Sequence, residues 1–232
     1  MTITRPEALR RGSRSTVSFR ETARLPAIVA LLLAVSVGVG YGQSAGKPSA
    51  EIKAAPASQE QIEGTIHVCS SCHGFGGRST SPTFPRLAGQ RAEYIEAQLK
   101  AFRDHTRADP HAHTYMWGMA AHLSDSLIHG IALYYAAQAP VPGTPSDPAE
   151  MAVGQKIFQH GISGVPPCQS CHGEHGQGMG PIPRVAGQHR DYLIEQLQNF
   201  ASNARANVIM HANSKPLTAE EIREVAAYIA AQ

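Results

Sequence analysis

The chain has 232 residues, of which 42% are hydrophobic and 16% charged, a composition typical of globular domains. Its length allows one large domain or two small ones with separate cores. The formal net charge is +2 for the whole chain and −2 without residues 1–42, which hold six arginines and two glutamates. A slightly acidic protein lacks the basic surface that a nucleic-acid partner needs, so we expect no such partner.

The N-terminal segment has the order of residues typical of a secretory signal. Six arginines precede an uncharged apolar run from Leu25 to Gly40, and Gly40 and Gly42 are small residues ahead of a cleavage point near Gln43. The apolar run is shorter than the about 20 residues that a membrane span needs. We therefore predict a cleaved signal peptide over residues 1–42 and a periplasmic protein, which would be membrane-anchored if the signal were retained.

The next part of the chain has the patterns of three helices. Residues 43–57 are expected to form a flexible lead-in, and Ser58 and Gln61 fit a capping box that opens a helix running into Cys69. The middle helix has apolar residues spaced for one buried face, namely Ile95, Leu99 and Phe102. A closing helix begins at Ser124 and is expected to bury Leu127, Ile131 and Tyr134.

The C-terminal part has the same patterns. Asp147 and Pro148 serve as cap and first residue of a helix that continues through Phe158. The middle helix carries Leu193, Leu197 and Phe200 on one face. The closing helix begins at Thr218, with Glu221 as its capping-box partner, and is expected to bury Ile222, Val225 and Ile229.

These two parts are copies of one unit. Residues 84–102 match residues 182–200 position by position at an offset of 98, and residues 122–138 match residues 216–232 at an offset of 94. A repeat of this length indicates duplication of a whole unit rather than a short solenoid repeat.

The duplication predicts two tandem domains, residues 58–139 and 149–232, which we call the first half and the second half. A Pro-rich linker, residues 140–148, separates them and is expected to be extended and fairly stiff. Because the chain has no convincing strand pattern, we predict an all-α fold.

Each half contains the motif Cys-x-x-Cys-His-Gly, in VCSSCHG at residues 68–74 and in PCQSCHG at residues 167–173. Such spacing serves a redox dithiol, half of a zinc site or the attachment of a c-type haem. A thioredoxin-like dithiol belongs near a βαβ pattern, and a zinc ribbon needs its cysteine pairs about 15 to 20 residues apart. Neither alternative explains a histidine after both pairs, so the motifs favour covalent haem.

Two covalently bound haem c groups are therefore the predicted cofactors. The predicted thioether attachments are Cys69 and Cys72 in the first half and Cys168 and Cys171 in the second, and the predicted proximal iron ligands are His73 and His172.

The second axial ligand decides what each iron can do. Met116 and Met210 each stand seven residues before the leucine at the head of the closing helix, so the repeat selects them as ligands. Met119 has an asparagine at its counterpart, and Met179 has no counterpart. Histidine is the competing ligand type in the first half, which contains His105, His111, His113, His122 and His129. None of these five has a histidine at the matching place in the second half.

Several matched residues have weaker functional interpretations. Arg86 and Arg184 are candidates for pairing with a haem propionate, or are solvent-facing loop residues. Pro82 and Pro181 lie where a carbonyl could orient the ligating imidazole, although simple turn prolines explain them as well. The remaining candidates are Trp117, which would cover a haem edge or merely pack, and Tyr94 and Tyr192, for which core packing is favoured.

Taken together, CSSCH and CQSCH, the repeated PRLAGQ and PRVAGQ, and a methionine seven residues before LS or LT resemble the two-haem cytochromes of the cytochrome c4 family, from about Ile62 onward. The resemblance implies two class I cytochrome c folds facing each other across a pseudo-twofold interface. It also implies a periplasmic or peripherally membrane-associated protein, monomeric apart from its complexes, that carries electrons from a quinol-oxidising complex or dehydrogenase to a terminal oxidase.

Two segments depart from that pattern. The first half has the histidine-rich insert DPHAHTY before Met116, and the second half has GISGVPP before Cys168. The environments of the two irons should therefore differ, and equal reduction potentials are not expected.

The expected protein is an electron carrier and not an enzyme, with two alternatives left open. A di-haem peroxidase would need one iron with an open or exchangeable position, so that Met116 or Met210 would not be bound. A cytochrome subunit of a larger oxidoreductase would have the same motifs and would co-purify with a catalytic partner. A gas or redox sensor is a weaker idea, because it needs an open iron and a signalling domain.

Overall fold

Helices provide the regular structure of the computed structural model, which describes residues 55–232. Within this range the only β-type pairings are the isolated bridges Ile162–Val165 and Met179–Ile182, which confirms the all-α prediction. None of the helices in residues 55–232 is both long and apolar enough to cross a bilayer. The predicted signal peptide, residues 1–42, and most of the lead-in lie outside the described residues.

The first half contains four α-helices, a short 3-10 helix at Phe75–Gly77 and one irregular turn. The α-helices are α1 (Gln59–His73), α2 (Ala92–Arg103), α3 (Trp117–Ala120) and α4 (Asp125–Ala136). A π-helical turn, Ala112–Met116, leads directly into α3. The predicted capping box is confirmed, since the Ser58 hydroxyl accepts the Gln61 N–H at 3.2 Å and the Gln61 side chain accepts the Ser58 N–H at 2.9 Å.

The second half contains five helices. They are α5 (Pro148–His160), α6 (Gln169–His172), α7 (Arg190–Ala201), α8 (Val208–Ser214) and α9 (Ala219–Ala230). The Asp147 carboxylate caps α5 by accepting the N–H groups of Ala149 and Glu150, and Thr218 forms a capping box with Glu221 at the start of α9. The cap predictions for both helices are therefore confirmed.

Each half has its own apolar core, formed by its first, middle and closing helices. In α4, Ile131 is buried as predicted, whereas Leu127 and Tyr134 are only half-buried and lie at the edge of the core. The buried positions next to them are Ile128 and Tyr135. The prediction was wrong there because α4 is apolar on several faces, so the spacing of its side chains does not select one face.

The first and closing helices cross closely in both halves, and in each half a glycine lies at the crossing. The glycine belongs to the closing helix in the first half and to the first helix in the second half. In the first half Gly130 of α4 accepts the side chain of Ile62 from α1 against its backbone. In the second half Gly154 of α5 lies against the backbone carbonyl of Glu224 in α9. A Cβ at Gly154 would overlap the backbone of α9, so that crossing depends on the missing Cβ, whereas a Cβ at Gly130 would displace only the flexible side chain of Ile62.

Two glutamines hold the halves together across an approximate twofold relation. The Gln188 side chain accepts the Arg86 N–H at 2.9 Å and donates to the Arg86 carbonyl at 3.0 Å. In the same way, the Gln90 side chain accepts the Arg184 N–H at 2.7 Å and donates to the Arg184 carbonyl at 2.8 Å. Both glutamines are buried, with 7% of their surface exposed, so these bonds are shielded from water.

The helix crossing in the second half predicts that alanine substitutions at two glycines have different effects on the free energy of unfolding. Gly154→Ala should lower the free energy of unfolding by about 2 kcal/mol, because its methyl group would overlap the Glu224 carbonyl. Gly64→Ala is the matched control, since Gly64 is an exposed position of α1 with no neighbour near its Cβ, and it should be neutral or stabilising by up to about 1 kcal/mol. Denaturant unfolding of the purified holoprotein measures both, and equal effects would contradict the proposed packing.

Candidate functional site

The two Cys-x-x-Cys-His motifs lie at equivalent helix ends. In the first half the motif forms the last turn of α1, and in the second half it begins at Cys168, the N-cap residue of α6. A glycine with positive φ follows each histidine, Gly74 at 75° and Gly173 at 86°. A Cβ on Gly74 would also lie 2.8 Å from the Arg78 carbonyl group, so the chain can turn away after the histidine only with glycine there.

Each motif histidine is oriented by a proline carbonyl. His73 Nδ1 lies 2.9 Å from the carbonyl oxygen of Pro85, and His172 Nδ1 lies 3.0 Å from that of Pro183. A carbonyl only accepts, so Nδ1 carries the proton and Nε2 keeps its lone pair. Burial lowers the pKa of both imidazoles, and the bonds to the proline carbonyls oppose this shift. The neutral ring therefore presents Nε2 as a ligand nitrogen.

These contacts show that Pro82 and Pro181 do not orient the imidazoles, so their interpretation as simple turn prolines is the one that remains. The acceptors are Pro85 and Pro183, which begin the repeated Pro-Arg-x-Ala-Gly-Gln segment. The signal for them was present in the sequence, because this segment matches at one offset in both halves, whereas Pro82 and Pro181 do not match each other at that offset.

No disulfide joins any of the four cysteines, all of which lie within residues 55–232. Burial raises the pKa of the Cys69 thiol above its usual value and raises the pKa of Cys168 to about 11. Burial therefore disfavours the thiolate form at the first cysteine of each motif. Within residues 55–232 no group of three or more His, Cys, Asp or Glu side chains is arranged to bind a metal ion by itself.

Met116 and Met210 stand on corresponding segments in different surroundings. Met116 ends the π-helical turn and packs between the core of the first half and a smaller cluster of Phe102, Ala112 and Ala120. Met210 is half-buried in the first turn of α8, where its N–H donates to the capping Asn207 side chain at 2.9 Å. By contrast, Met119 is 59% exposed and Met179 is 66% exposed.

The competing histidines of the first half have other contacts. His129 Nδ1 lies 2.6 Å from Glu96, and His111 Nδ1 lies 3.1 Å from Glu195 of the second half. The His105 ring stacks on Trp117 at 4.1 Å, and the edge of His113 faces the same indole at 4.7 Å. His122 is exposed on the loop before α4.

Arg86 and Arg184 lie at the interface between the halves rather than in solvent-facing loops. Arg86 Nη1 donates across the interface to the Gly187 carbonyl at 2.6 Å, and its Nε is buried without a hydrogen-bond partner among residues 55–232. A cavity of about 10 Å³, enough for about one water molecule, is lined by both arginines together with Gln90 and Gln188. The unsatisfied Nε leaves Arg86 able to bind a further acceptor.

Tyr94 and Tyr192 also line the interface, where core packing had been favoured. The Tyr94 hydroxyl accepts from Arg205 at 2.8 Å, and the Tyr192 hydroxyl lies 3.5 Å from Arg107 Nη2. Trp117 packs near this site, because its Nε1 donates to the Arg107 carbonyl at 2.8 Å.

Arg107 and Arg205 form a buried cluster that sequence comparison had not revealed. Both donate to the side-chain oxygens of Gln98 and Gln196, over distances between 2.6 and 3.0 Å. Extending the offset of 98 beyond residue 102 would have found the pair, since Arg107 and Arg205 match at that offset.

The two arginines of this cluster differ in their charged partners. The fully buried Asp109 accepts from Arg107 Nε at 2.7 Å. The matching residue is Asn207, and among residues 55–232 no carboxylate lies within 4.0 Å of Arg205. The cluster therefore has one more guanidinium than carboxylate.

The residues fit a covalently attached haem in both halves. Each half offers two thiols and an imidazole on one short helical segment, and the imidazole has its Nδ1 bound to a carbonyl and its Nε2 available. A c-type haem needs this donor set on its proximal side, with a further ligand such as methionine opposite.

A family model and several known proteins match most of the chain. The family model described as Cytochrome c matches twice, at residues 63–134 and 151–232. Cytochrome c4 of Azotobacter vinelandii is 31% identical over 216 residues, which is 88% of this chain and 97% of that protein. Cytochrome c-552 of Acidithiobacillus ferridurans is 43% identical over 165 residues, covering 69% of this chain and 72% of that protein.

A solved structure has the same fold. Cytochrome c4 of Acidithiobacillus ferrooxidans matches with a TM-score of 0.68 and 41% identity, covering 71% of this chain and 98% of that one. A further relative, named the thiosulfate dehydrogenase electron acceptor of Thiomonas intermedia, is 31% identical over 188 residues, which is 77% of this chain and 85% of that protein.

Four of the chain's six methionines give a test of the axial ligands. Met116→Ala and Met210→Ala should each remove about half of the weak long-wavelength absorption band of methionine-ligated ferric haem, since each removes one of two sulfur ligands. Met119→Ala and Met179→Ala are matched controls and should leave the band intact, because both side chains are largely exposed. A full band in Met116→Ala or Met210→Ala would show that the sulfur is not a ligand.

Proposed function

The chain belongs to the cytochrome c family, in its two-haem cytochrome c4 branch of electron carriers, and on this premise we propose that it carries electrons in the periplasm from a respiratory donor to a terminal oxidase or similar acceptor. The donor would be a quinol-oxidising complex or a dehydrogenase. The observation that carries the proposal is the repetition in both halves of the same set: two thiols, a histidine held by a proline carbonyl, and a methionine at one repeat position.

In this proposal the chain's residues divide the work of binding each haem. The thioether attachments are Cys69 and Cys72, and Cys168 and Cys171; the axial ligands are His73 with Met116, and His172 with Met210. The bound haem supplies a one-electron iron couple, and methionine ligation raises its potential. Carbonyl-bound imidazoles keep a fixed orientation, so little rearrangement accompanies a change of oxidation state.

A closed coordination shell favours electron transfer over catalysis. Met116 is packed between two apolar clusters, which supports its retention as a ligand and so argues against an open iron in the first half. We therefore propose a carrier that is not itself an enzyme, with peroxidase activity as the alternative. It would be monomeric apart from complexes with its redox partners.

A second candidate function is supported by one comparison. The Thiomonas intermedia relative is named as the electron acceptor of thiosulfate dehydrogenase, and it matches over 77% of this chain. The present chain would then receive electrons from a thiosulfate-oxidising enzyme, as the cytochrome partner of a larger oxidoreductase.

The carrier proposal predicts that both irons are closed to external ligands. The purified ferric protein should show no spectral shift with cyanide and no peroxide turnover above background, because methionine occupies the sixth position in both halves. Met116→Ala serves as a positive control, in which cyanide should bind one iron. Cyanide binding by the unmodified protein, together with peroxide turnover, would support the di-haem peroxidase instead.

The donor can be identified by comparing initial rates of reduction. The oxidised protein would be mixed either with quinol and a purified quinol-oxidising complex, or with thiosulfate and purified thiosulfate dehydrogenase. We expect faster reduction by the quinol-oxidising complex. The opposite ranking at equal enzyme concentrations would establish the second candidate.

A further inference from the structure

One peptide unit in each half touches both the motif histidine and the other half. The Pro85 carbonyl and the Arg86 N–H belong to the same peptide group. The carbonyl accepts from His73 Nδ1 at 2.9 Å, and the N–H donates to Gln188 Oε1 at 2.9 Å. A continuous chain of hydrogen bonds therefore runs from Gln188 of the second half to His73 of the first.

The second half has the reciprocal arrangement. The Pro183 carbonyl accepts from His172 Nδ1 at 3.0 Å, and the Arg184 N–H of the same peptide group donates to Gln90 Oε1 at 2.7 Å. Each glutamine thus reaches the histidine of the half to which it does not belong. We call these two hydrogen-bond chains the crossed relays.

The relays are built to be rigid. Gln188 is anchored twice on Arg86, through its N–H and its carbonyl, and Gln90 is anchored in the same way on Arg184. Each glutamine oxygen accepts a second bond, from the N–H of the next residue, His189 at 3.0 Å and Arg91 at 2.9 Å. The side chains are buried, so water does not replace these bonds readily.

The chemistry of a peptide group transmits polarisation along this path. When the N–H donates to a good acceptor, electron density shifts toward the carbonyl oxygen, which then accepts more strongly at its other end. A stronger bond to Nδ1–H makes Nε2 a more basic ligand. A more basic imidazole stabilises the oxidised iron, which lowers the reduction potential.

We propose that Gln188 and Gln90 are positioning residues that set the potential of the haem in the opposite half through the crossed relays. The inference rests on the proposed function, because it takes His73 and His172 as iron ligands. The interface then has a direct electronic role, because a change in the hydrogen bonds of one glutamine alters the basicity of the ligand imidazole in the other half.

The test replaces each glutamine by methionine, which has similar length and no hydrogen-bonding amide. Gln188→Met should shift the one-electron equilibrium of the first-half haem toward its reduced form by a factor of about two to five. At about 59 mV per tenfold change, this is a rise in reduction potential of roughly 20 to 40 mV. The second-half haem should be unchanged. Gln90→Met should do the reverse, and spectroelectrochemical titration of the holoprotein measures both.

The two haems can be told apart by marking one of them. Met116→His places a second imidazole in the first half, which should lower the potential of that haem alone. The Nδ1–H proton signal of His73 gives an independent readout, because Gln188→Met should shift it and Gln90→Met should not. A purely structural role would not produce this crossed pattern.

Tyr94→Phe is the matched control for a loosened interface, since it removes an interface hydrogen bond from Arg205 without touching either relay. It should leave both potentials and both imidazole signals in place. Equal shifts of both haems in Gln188→Met, or a shift only in the glutamine's own half, would overturn the inference, as would unchanged values.

Failure of the proposed function is visible separately, in the unmodified protein. Fewer than two haems per chain, or an absent methionine band, would reject the carrier proposal. If Gln188→Met does not fold, Gln188→Glu keeps an acceptor for the Arg86 N–H and should instead lower the first-half potential more than the second. Equal lowering would reflect only the added charge and would overturn the relay.

Discussion

Both motif histidines are oriented by a Pro-Arg peptide group that is hydrogen-bonded to a buried glutamine of the other half. These hydrogen bonds fix the repeated loops against each other, and the same loops provide the carbonyls that orient His73 and His172. The interface and the proposed ligand sites therefore share the same hydrogen bonds, and neither half has its complete hydrogen-bond pattern without its partner.

Both copies have kept the proposed haem ligands, whereas the residues around those ligands differ between the halves. The first half has four more residues than the second between its matched phenylalanine and methionine, Phe102 to Met116 against Phe200 to Met210. The π-helical turn, Ala112–Met116, lies in this longer segment, and such turns are frequent at functional sites. The helix crossings differ as well, since the glycine at the crossing is Gly130 of α4 in one half and Gly154 of α5 in the other.

The sequence predicted the features that follow from local chemistry. Caps such as Ser58 and Thr218 act over three residues, and the repeat located the methionine segments without knowledge of the fold. It did not predict the buried face of α4, where Tyr134 and Tyr135 are equally apolar neighbours. The repeat also could not show that Gln90 and Gln188 bind across the interface, because a match between copies does not reveal which residues touch.

The unequal charge of the buried cluster links oxidation state to the cohesion of the molecule. Arg107 is balanced by Asp109, whereas Arg205 has only neutral acceptors among residues 55–232, so the contact between the halves retains a positive charge shielded from solvent. Each electron that the protein accepts makes its net charge more negative, and a more negative protein stabilises a buried positive charge at the contact between its halves. Because linkage is reciprocal, the reduced protein should hold its halves together more tightly than the oxidised protein. Reduction thus acts on this protein as a bound ligand would, because it strengthens the association of the two halves.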